Sequence, residues 1–283
     1  MSGPAHGGFW ERLLRGSRWA WVGASYKTAL PADLDATVMS LESRDRLHAK
    51  QGRSTARVVF HGPEGPVPVY LKRHYRLSWT ARLLALIDPS GGHTPGSAEF
   101  AHLIRARSMG LDVPDVVAAG ERIGPWGRLQ SYLMVAELTG WLPLHEAIPA
   151  LAARLDPPSF EALKRRLARQ TAEVAATLHR EGMFHKDLYL CHYFLDMAHG
   201  DEPGARLALI DLHRLAEHRR WPDRWRWKDL GQLLYSMEGV AGLSARDALR
   251  FWSHYRKLAG LVNARRQLRM VVWKASRYSR HNG

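Results

Sequence analysis

Two short segments place carboxylates where they could do chemistry. GMFHKDLYLCHYFLD, from Gly182 to Asp196, sets His185, Lys186 and Asp187 on a polar turn directly after a helical pattern. LALIDLHRL, from Leu207 to Leu215, ends a buried-strand-like run in Asp211. Between them lie two short apolar stretches and a turn at Glu202, Pro203 and Gly204, so the pair reads as a hairpin with one carboxylate at each end. Burying an unpaired charge costs several kcal/mol, which makes a carboxylate after Ala208, Leu209 and Ile210 hard to explain without a cation. Phosphoryl transfer asks for such equipment: an in-line hydroxyl, a metal to neutralise phosphate charge, and positive clamps.

Together the segments resemble the catalytic loop and metal-binding strand of the protein-kinase-like phosphotransferases. Two departures narrow the resemblance. His192 stands where protein kinases carry Asn, and the strand ends Asp211, Leu212, His213 with no glycine. In HKDLYLCHYFL with IDLHR the chain is similar to the lipopolysaccharide kinase (Kdo/WaaP) family, in its heptose kinase branch. The resemblance implies an α+β, protein-kinase-like two-lobe fold, with a small N-terminal β-sheet lobe and a larger, mainly helical C-terminal lobe. It implies ATP as donor and Mg²⁺, or Mn²⁺, as the metal. Asp187 would orient the acceptor hydroxyl and accept its proton, and Asp211 would ligate the metal. Magnesium prefers oxygen ligands, so His192 either ligates a softer ion such as Mn²⁺, acts through water, or holds the loop. His185 is assigned to anchoring the loop. Asp229 in KDLGQLLYS matches the carboxylate that pins the loop backbone, or is a helix-start carboxylate, or both. Lys186 either steadies the transferring phosphate or is solvated, and Cys191 among apolar neighbours reads as core.

The elements that must position these residues follow from pattern. Residues 1–33 read as a loosely held, Gly-rich and aromatic arm whose Trp10, Trp19 and Trp21 pack on the small lobe or meet headgroups. Residues 34–140 read as the nucleotide-binding lobe and 141–283 as the catalytic, acceptor-binding lobe. Strands are expected at Arg44 to Leu47, Ala56 to His61 and Val67 to Lys72. The turn KQGRST offers Gly52 and Ser54 as a phosphate cover or is a plain hairpin. In VPVYLKRHY, strand period sets Val69 and Leu71 on one face and Tyr70 and Lys72 on the other. By the resemblance Lys72 contacts the α- and β-phosphates, with Arg73 the competing candidate, and Glu99 is its ion-pair partner. Helices are expected over Ser78 to Ile87 and from an N-cap at Ser97 to Met109. Further strands are expected at Val113 to Gly120 and Leu129 to Leu138; by the resemblance the backbone of Glu137 and Leu138 is the hinge that would meet adenine, while the pattern alone gives an ordinary central strand. The longest helix opens at Asp156, Pro157 and Pro158 and ends at Gly182, with Leu163, Leu167, Gln170, Val174 and Leu178 inward and Lys164, Arg165, Arg166 and Arg169 outward.

No Ala-Pro-Glu segment follows Asp211, which disfavours a polypeptide acceptor. Arg214, Arg219, Arg220, Arg224 and Arg226 alternate with Trp221, Trp225 and Trp227 instead. Guanidinium forks suit phosphate and carboxylate, and indoles stack on sugars, so the segment fits a lipopolysaccharide core glycolipid. It equally resembles a solvated charge run, or a single-strand nucleic-acid surface. From Leu258 to Arg280 a basic amphipathic helix is expected, lying on an anionic inner-membrane leaflet, docking an acidic protein, or packing on the large lobe. The formal charge of +14 agrees with any of these anions. One cysteine excludes an internal disulfide and suggests a reducing compartment. No apolar run approaches about 18 residues, so neither a signal peptide nor a spanning helix is expected. The chain reads as cytoplasmic, or peripheral on the cytoplasmic face of the inner membrane. The expected activity is ATP-dependent phosphorylation of heptose I of the lipopolysaccharide inner core. The rivals are a Kdo kinase, another small-molecule kinase, or an inactive nucleic-acid binder of the same fold.

Overall fold

A computed structural model of the chain describes residues 9–41, 46–50, 52–63, 65–75, 83, 87, 94–123, 129–202 and 204–282. Two compact units divide it, residues 1–105 with 114–138 and residues 106–113 with 139–283.

The first unit holds helices α1 (Phe9–Arg15) and α2 (Leu34–Ser40) and strands β1 (Ser17–Val22), β2 (Arg46–Lys50), β3 (Arg53–Gly62), β4 (Gly65–His74), β5 (Val116–Ile123) and β6 (Leu129–Ala136). Most of α3 (Pro95–Ser108) belongs to it as well. The strands form one antiparallel sheet in the order β1-β5-β6-β4-β3-β2. In β4 the pleat buries Val69, Leu71 and Arg73, while Tyr70 and Lys72 alternate with them on the less buried face. Val69 and Leu71 join Val117, Ala118, Tyr132 and Met134 in a core closed by Leu34 and Val38 of α2.

Three expectations change here. Residues 17–22 are an edge strand, not part of a loose arm: β1 pairs with β5 from Ser17↔Ile123 to Val22↔Ala118. Trp19 and Trp21 pack on Phe100 of α3 at 5.1 and 5.2 Å between ring centroids. The helix expected from Ser97 starts at Pro95, because Thr94 is the residue whose Oγ1 accepts the Ser97 amide at 3.2 Å. Arg73, the alternative to Lys72, is buried in the first unit's interior. It donates to Ser54 Oγ and to the carbonyls of Val38 and Leu41 at 3.1, 3.0 and 2.6 Å, which leaves it no phosphate role. The helix expected over Ser78 to Ile87 lies outside the described residues apart from Leu83 and Ile87.

The second unit holds β7 (Trp141–Pro143), α4 (Leu144–Ala152), α5 (Pro157–Arg180), β8 (Met183–Phe184), β9 (Tyr193–Asp196), β10 (Leu207–Leu209), β11 (Ala216–Glu217), α6 (Pro222–Ser236), α7 (Ala245–Leu258) and α8 (Ala264–Asn282). Asp156 caps α5 by accepting the Ser159 amide, and Gly182 ends its run at φ +69°, a conformation that costs glycine little. Lys164 is buried rather than outward, because α7 brings Asp247 against it: its Nζ lies 2.6 Å from Glu161 and 3.4 Å from Asp247. The expected C-terminal helix starts only at Ala264, after a turn at Asn263 with φ +60°, and Leu258 is the last residue of α7. In α8 it is Gln267, Val271 and Ala275 that are buried, and Val272 is half exposed.

Helices α6 and α8 approach closely at Gly231, where an added Cβ would lie 2.7 Å from Lys274 Cβ and 3.3 Å from the Ala275 amide nitrogen. Gly231→Val should therefore force α8 away and lower unfolding free energy by about 1–3 kcal/mol, measured by urea denaturation. An unchanged midpoint would mean the helices can separate freely.

Candidate active site

In the first unit, Lys72 Nζ lies 2.6 Å from Oε1 of Glu99, whose carboxylate is buried. Strand β4 aims the lysine away from the core, and Glu99 stands on α3, so the pair fixes an ammonium group at the sheet surface. Gly52 turns at φ +79°, and its carbonyl accepts the Tyr75 amide at 2.7 Å. Ser54 does not present its hydroxyl to a phosphate; pleating buries it on Arg73. Arg57 grips the Glu137 carboxylate with Nε and Nη2 at 2.9 and 2.7 Å and holds its carboxyl below the usual range. The Glu137 amide is taken by the Pro68 carbonyl at 3.0 Å. The Glu137 carbonyl and the Leu138 backbone are the neighbouring groups that could meet a base edge.

In the second unit, α5 delivers the chain to β8, after which Lys186 adopts φ +68°. The turn is held from α6. Asp229, fully buried, accepts the amides of His185 and Lys186, each at 2.8 Å. It stands mid-helix, so it is no helix-start carboxylate. Other α6 residues at four-residue steps continue the grip: Lys228 donates to the Lys186 carbonyl, Gln232 to Asp187 Oδ1 at 3.3 Å and Tyr189 Oη at 2.9 Å, and Ser236 Oγ accepts the Leu190 amide at 2.8 Å. Sequence reasoning found only Asp229; the positions one before, three after and seven after it on the same helix were the signal for the rest.

His179 of α5 completes the support. Its Nε2–H donates to Asp229 at 3.3 Å, and Nδ1 accepts from Tyr255 Oη at 2.7 Å. His185 donates Nε2–H to the Ile210 carbonyl at 3.0 Å. Burial pushes the pKa of both histidines down despite Asp229, so both are neutral supports.

Strands β9 and β10 pair antiparallel, and the Ile210 amide reaches the His192 carbonyl at 2.9 Å, which sets His192 beside Asp211. The Asp187 carbonyl can only accept, so His192 Nδ1, 2.7 Å away, carries the proton. Its Nε2 lone pair then lies 3.9 Å from Asp211 Oδ2. A ring nitrogen fixed by a backbone carbonyl with the other facing a carboxylate is the arrangement of a metal-ligating histidine. Among the described residues no three His, Cys, Asp or Glu side chains converge on a metal position. Asp211 and His192 could hold a divalent ion there, with phosphate oxygens and water filling the rest of its shell. Asp211 itself is left-handed at φ +62° and accepts from His213 Nδ1 at 2.8 Å.

The short β8–β11 ladder folds residues 211–217 back onto the turn. Arg214 thereby reaches Asp187, its Nη1 at 2.7 and 3.0 Å from the two carboxylate oxygens, rather than standing apart for an acceptor. Arg219 pairs with Glu217, and Arg220 and Trp221 are exposed, Trp221 at φ +57°. Lys186 Nζ lies 5.3 Å from the Trp225 ring, which stacks on His218 at 4.1 Å. Arg226 and Trp227 are internal: Arg226 donates to Tyr255 Oη at 3.1 Å, and Trp227 donates to Gln267.

Asp229→Ala should strand the two amides and cost about 3 kcal/mol or more in urea unfolding, whereas Asp211→Asn should stay within about 0.5 kcal/mol of the parent chain. Because the unfolded chain protonates His179 and His185 more readily than the folded one, stability should be greatest above about pH 6.5 and fall as pH drops below it. Flat stability between about pH 7 and pH 5 would contradict neutral histidines at these positions.

A profile of the Lipopolysaccharide kinase (Kdo/WaaP) family matches residues 42–255. The lipopolysaccharide core heptose(I) kinase WaaP of Pseudomonas aeruginosa is 32% identical over 209 residues, covering 72% of this chain and 74% of its own length. A protein of the same name from Escherichia coli is 34% identical over 159 residues, 56% of this chain and 58% of its own length. A solved structure titled WaaP in complex with acyl carrier protein superposes with a TM-score of 0.65 at 27% identity, covering 94% of this chain and all of that one. Matched along most of its length, the chain belongs to the lipopolysaccharide kinase (Kdo/WaaP) family and is a phosphotransferase acting on a sugar hydroxyl.

Proposed function

We propose that this kinase transfers the γ-phosphoryl group of ATP to a hydroxyl of heptose I in the lipopolysaccharide inner core. The observation that carries the chemistry is the Asp187 carboxylate, held on a turn that α6 fixes at four successive places and set beside the Asp211–His192 pair. The heptose acceptor is supported by the names of the P. aeruginosa and E. coli relatives.

Lys72, fixed by Glu99, takes the α- and β-phosphates, and Gly52 gives the backbone close approach to them. The Glu137 carbonyl and Leu138 backbone meet adenine. A divalent ion on Asp211 and His192 would neutralise charge on the phosphate oxygens. Asp187 orients the acceptor hydroxyl and takes its proton. Little basicity is required of it, because the transition state is largely dissociative. Lys186, Arg219, Arg220 and Trp221 face the acceptor, guanidinium groups toward its phosphates and carboxylates and the exposed indole toward a sugar ring.

The α8 surface supplies a partner site. Its exposed arc carries Arg265, Arg266, Arg269, Arg277 and Arg280 around Trp273, and α8 contains no acidic residue. Such a surface suits an acidic protein, and the solved complex named above makes acyl carrier protein the partner to test. No described helix is long and apolar enough to cross a membrane, so this arc is also where a peripheral contact with anionic lipid would form.

Radiolabel from [γ-³²P]ATP should appear on lipopolysaccharide lacking core phosphate and not on a protein acceptor. Asp187→Ala should keep nucleotide affinity within a few-fold and lose at least about 100-fold in transfer. Label on Kdo or on a free sugar alone would overturn the heptose assignment. Retained turnover in Asp187→Ala would remove that residue from the chemistry, and no metal-dependent ATP binding would leave a basic binder with nucleic acid as its ligand. Replacing Arg266, Arg269 and Arg277 with Glu should weaken acyl carrier protein binding at least about tenfold at low salt, without changing binding of neutral phosphatidylcholine vesicles. Unaltered affinity would place that partner elsewhere.

A further inference from the structure

Arg214 holds the Asp187 carboxylate with one nitrogen only. Two arginines of this molecule hold a carboxylate with the fork: Arg57 takes Glu137 with Nε and Nη2, and Arg206 takes Asp112 with Nε and Nη2 at 3.2 and 2.8 Å. Arg214 instead puts the single nitrogen Nη1 between both oxygens of Asp187, at 2.7 and 3.0 Å. Its Nε and Nη2 have no partner among the described residues, and 47% of its side chain is exposed. The fork that would best fix a carboxylate is left pointing elsewhere.

The surroundings show what that free edge would attract. Lys228, bonded to the Lys186 carbonyl, is near enough for the Arg214 charge to help lower its pKa, after burial. Lys186 adds a third cation to this group, and Asp229 a second carboxylate. Three cations around two carboxylates, Asp187 and the buried Asp229, leave a local positive excess at Asp187, and the ligand that would balance it is an anion. The reaction brings one there. An acceptor oxygen within about 3 Å of Asp187, and a phosphorus about 3–3.5 Å beyond it, set the transferring group within reach of a guanidinium already in contact with the same carboxylate.

We propose that Arg214 is a catalytic residue that bridges Asp187 and the γ-phosphoryl group in flight, an arginine finger supplied by the chain itself. This rests on the phosphotransferase reading above. The acceptor hydroxyl gives its proton to Asp187, its oxygen forms the bond to the γ-phosphorus, and the β–γ bridging P–O bond breaks with its electron pair leaving on ADP. Arg214 keeps Nη1 on Asp187 and turns Nη2 and Nε to the equatorial oxygens, where charge is spread in the transition state. The position also explains why the strained Asp211 turn is followed at once by a short 3₁₀ turn over Leu212–Arg214: the metal-binding carboxylate and the finger are set by one piece of backbone.

The experiment measures binding of ADP and of ADP with aluminium fluoride, a mimic of the transferring phosphoryl group, to the full chain with Mg²⁺ or Mn²⁺. Arg214→Ala should leave ADP affinity within about three-fold and weaken the fluoride complex at least about tenfold. Single-turnover transfer should fall about 100-fold or more, Arg214→Lys should retain part of it, and added guanidinium should restore part of the Arg214→Ala loss. Repeating the substitution in an Asp187→Asn chain separates contact from support. A residue that touches the phosphoryl group still weakens the fluoride complex there, while one that only holds Asp187 has nothing further to lose. Equal fluoride affinity in Arg214→Ala, or disappearance of the effect in the Asp187→Asn background, would overturn the assignment. Failure of the underlying reading looks different: the unaltered chain would then bind neither ADP nor its fluoride complex.

Discussion

The second unit depends on a buried carboxylate that holds a turn the backbone would otherwise avoid. Lys186 in the left-handed region costs roughly 1–2 kcal/mol, with no glycine to relieve it. Asp229 offsets that cost with two charge-assisted hydrogen bonds to successive amides, each contributing about 1.5–3 kcal/mol. A carboxylate at full burial would itself be prohibitive without donors, and the third is the His179 N–H. Each part needs the other: the turn satisfies the charge, and the charge sustains the turn.

From this constraint the rest of the site follows. The chain of bonds runs from Arg226 through Tyr255 and His179 to Asp229, tying α5, α6 and α7 to the catalytic turn. Residues at four-residue steps on α6 then take the carbonyl of Lys186, the side chains of Asp187 and Tyr189, and the amide of Leu190. The loop is long in sequence terms for something that must place one oxygen accurately, and it is gripped at almost every residue. Phosphoryl transfer relies on positioning more than on strong acids or bases, so rigidity of this kind is what the chemistry asks of the fold.

How far this was legible in the sequence varies with the range of the interaction. Lys72 follows from the two-residue period of VPVYLKRHY, and the strand is there with the alternation expected. The β9–β10 hairpin follows from two apolar runs and a turn. Where partners are remote, local pattern failed. Lys164 reads as one more charge on an outer helix face until Asp247 closes on it from α7. Residues 17–22 read as an arm because their strand partner among the described residues, β5, lies about a hundred positions on. Arg214 belonged to a run of surface arginines by composition, and only the two-residue β8–β11 ladder turns it onto Asp187. Ser54 looked like a phosphate donor because it follows a glycine turn, yet the pleat assigns it to the buried side.

The turn that carries Asp187 is formed before any ligand arrives, because α6 has already fixed it. Amide hydrogen exchange of the ligand-free chain, resolved residue by residue over 182–192, tests it directly. The account predicts that the amides of His185 and Lys186 exchange as slowly as those in the middle of α5 and α6, opening only with the unit as a whole. Exchange of those two amides at the rate of an open surface loop, slowing only when nucleotide and metal are added, would contradict it.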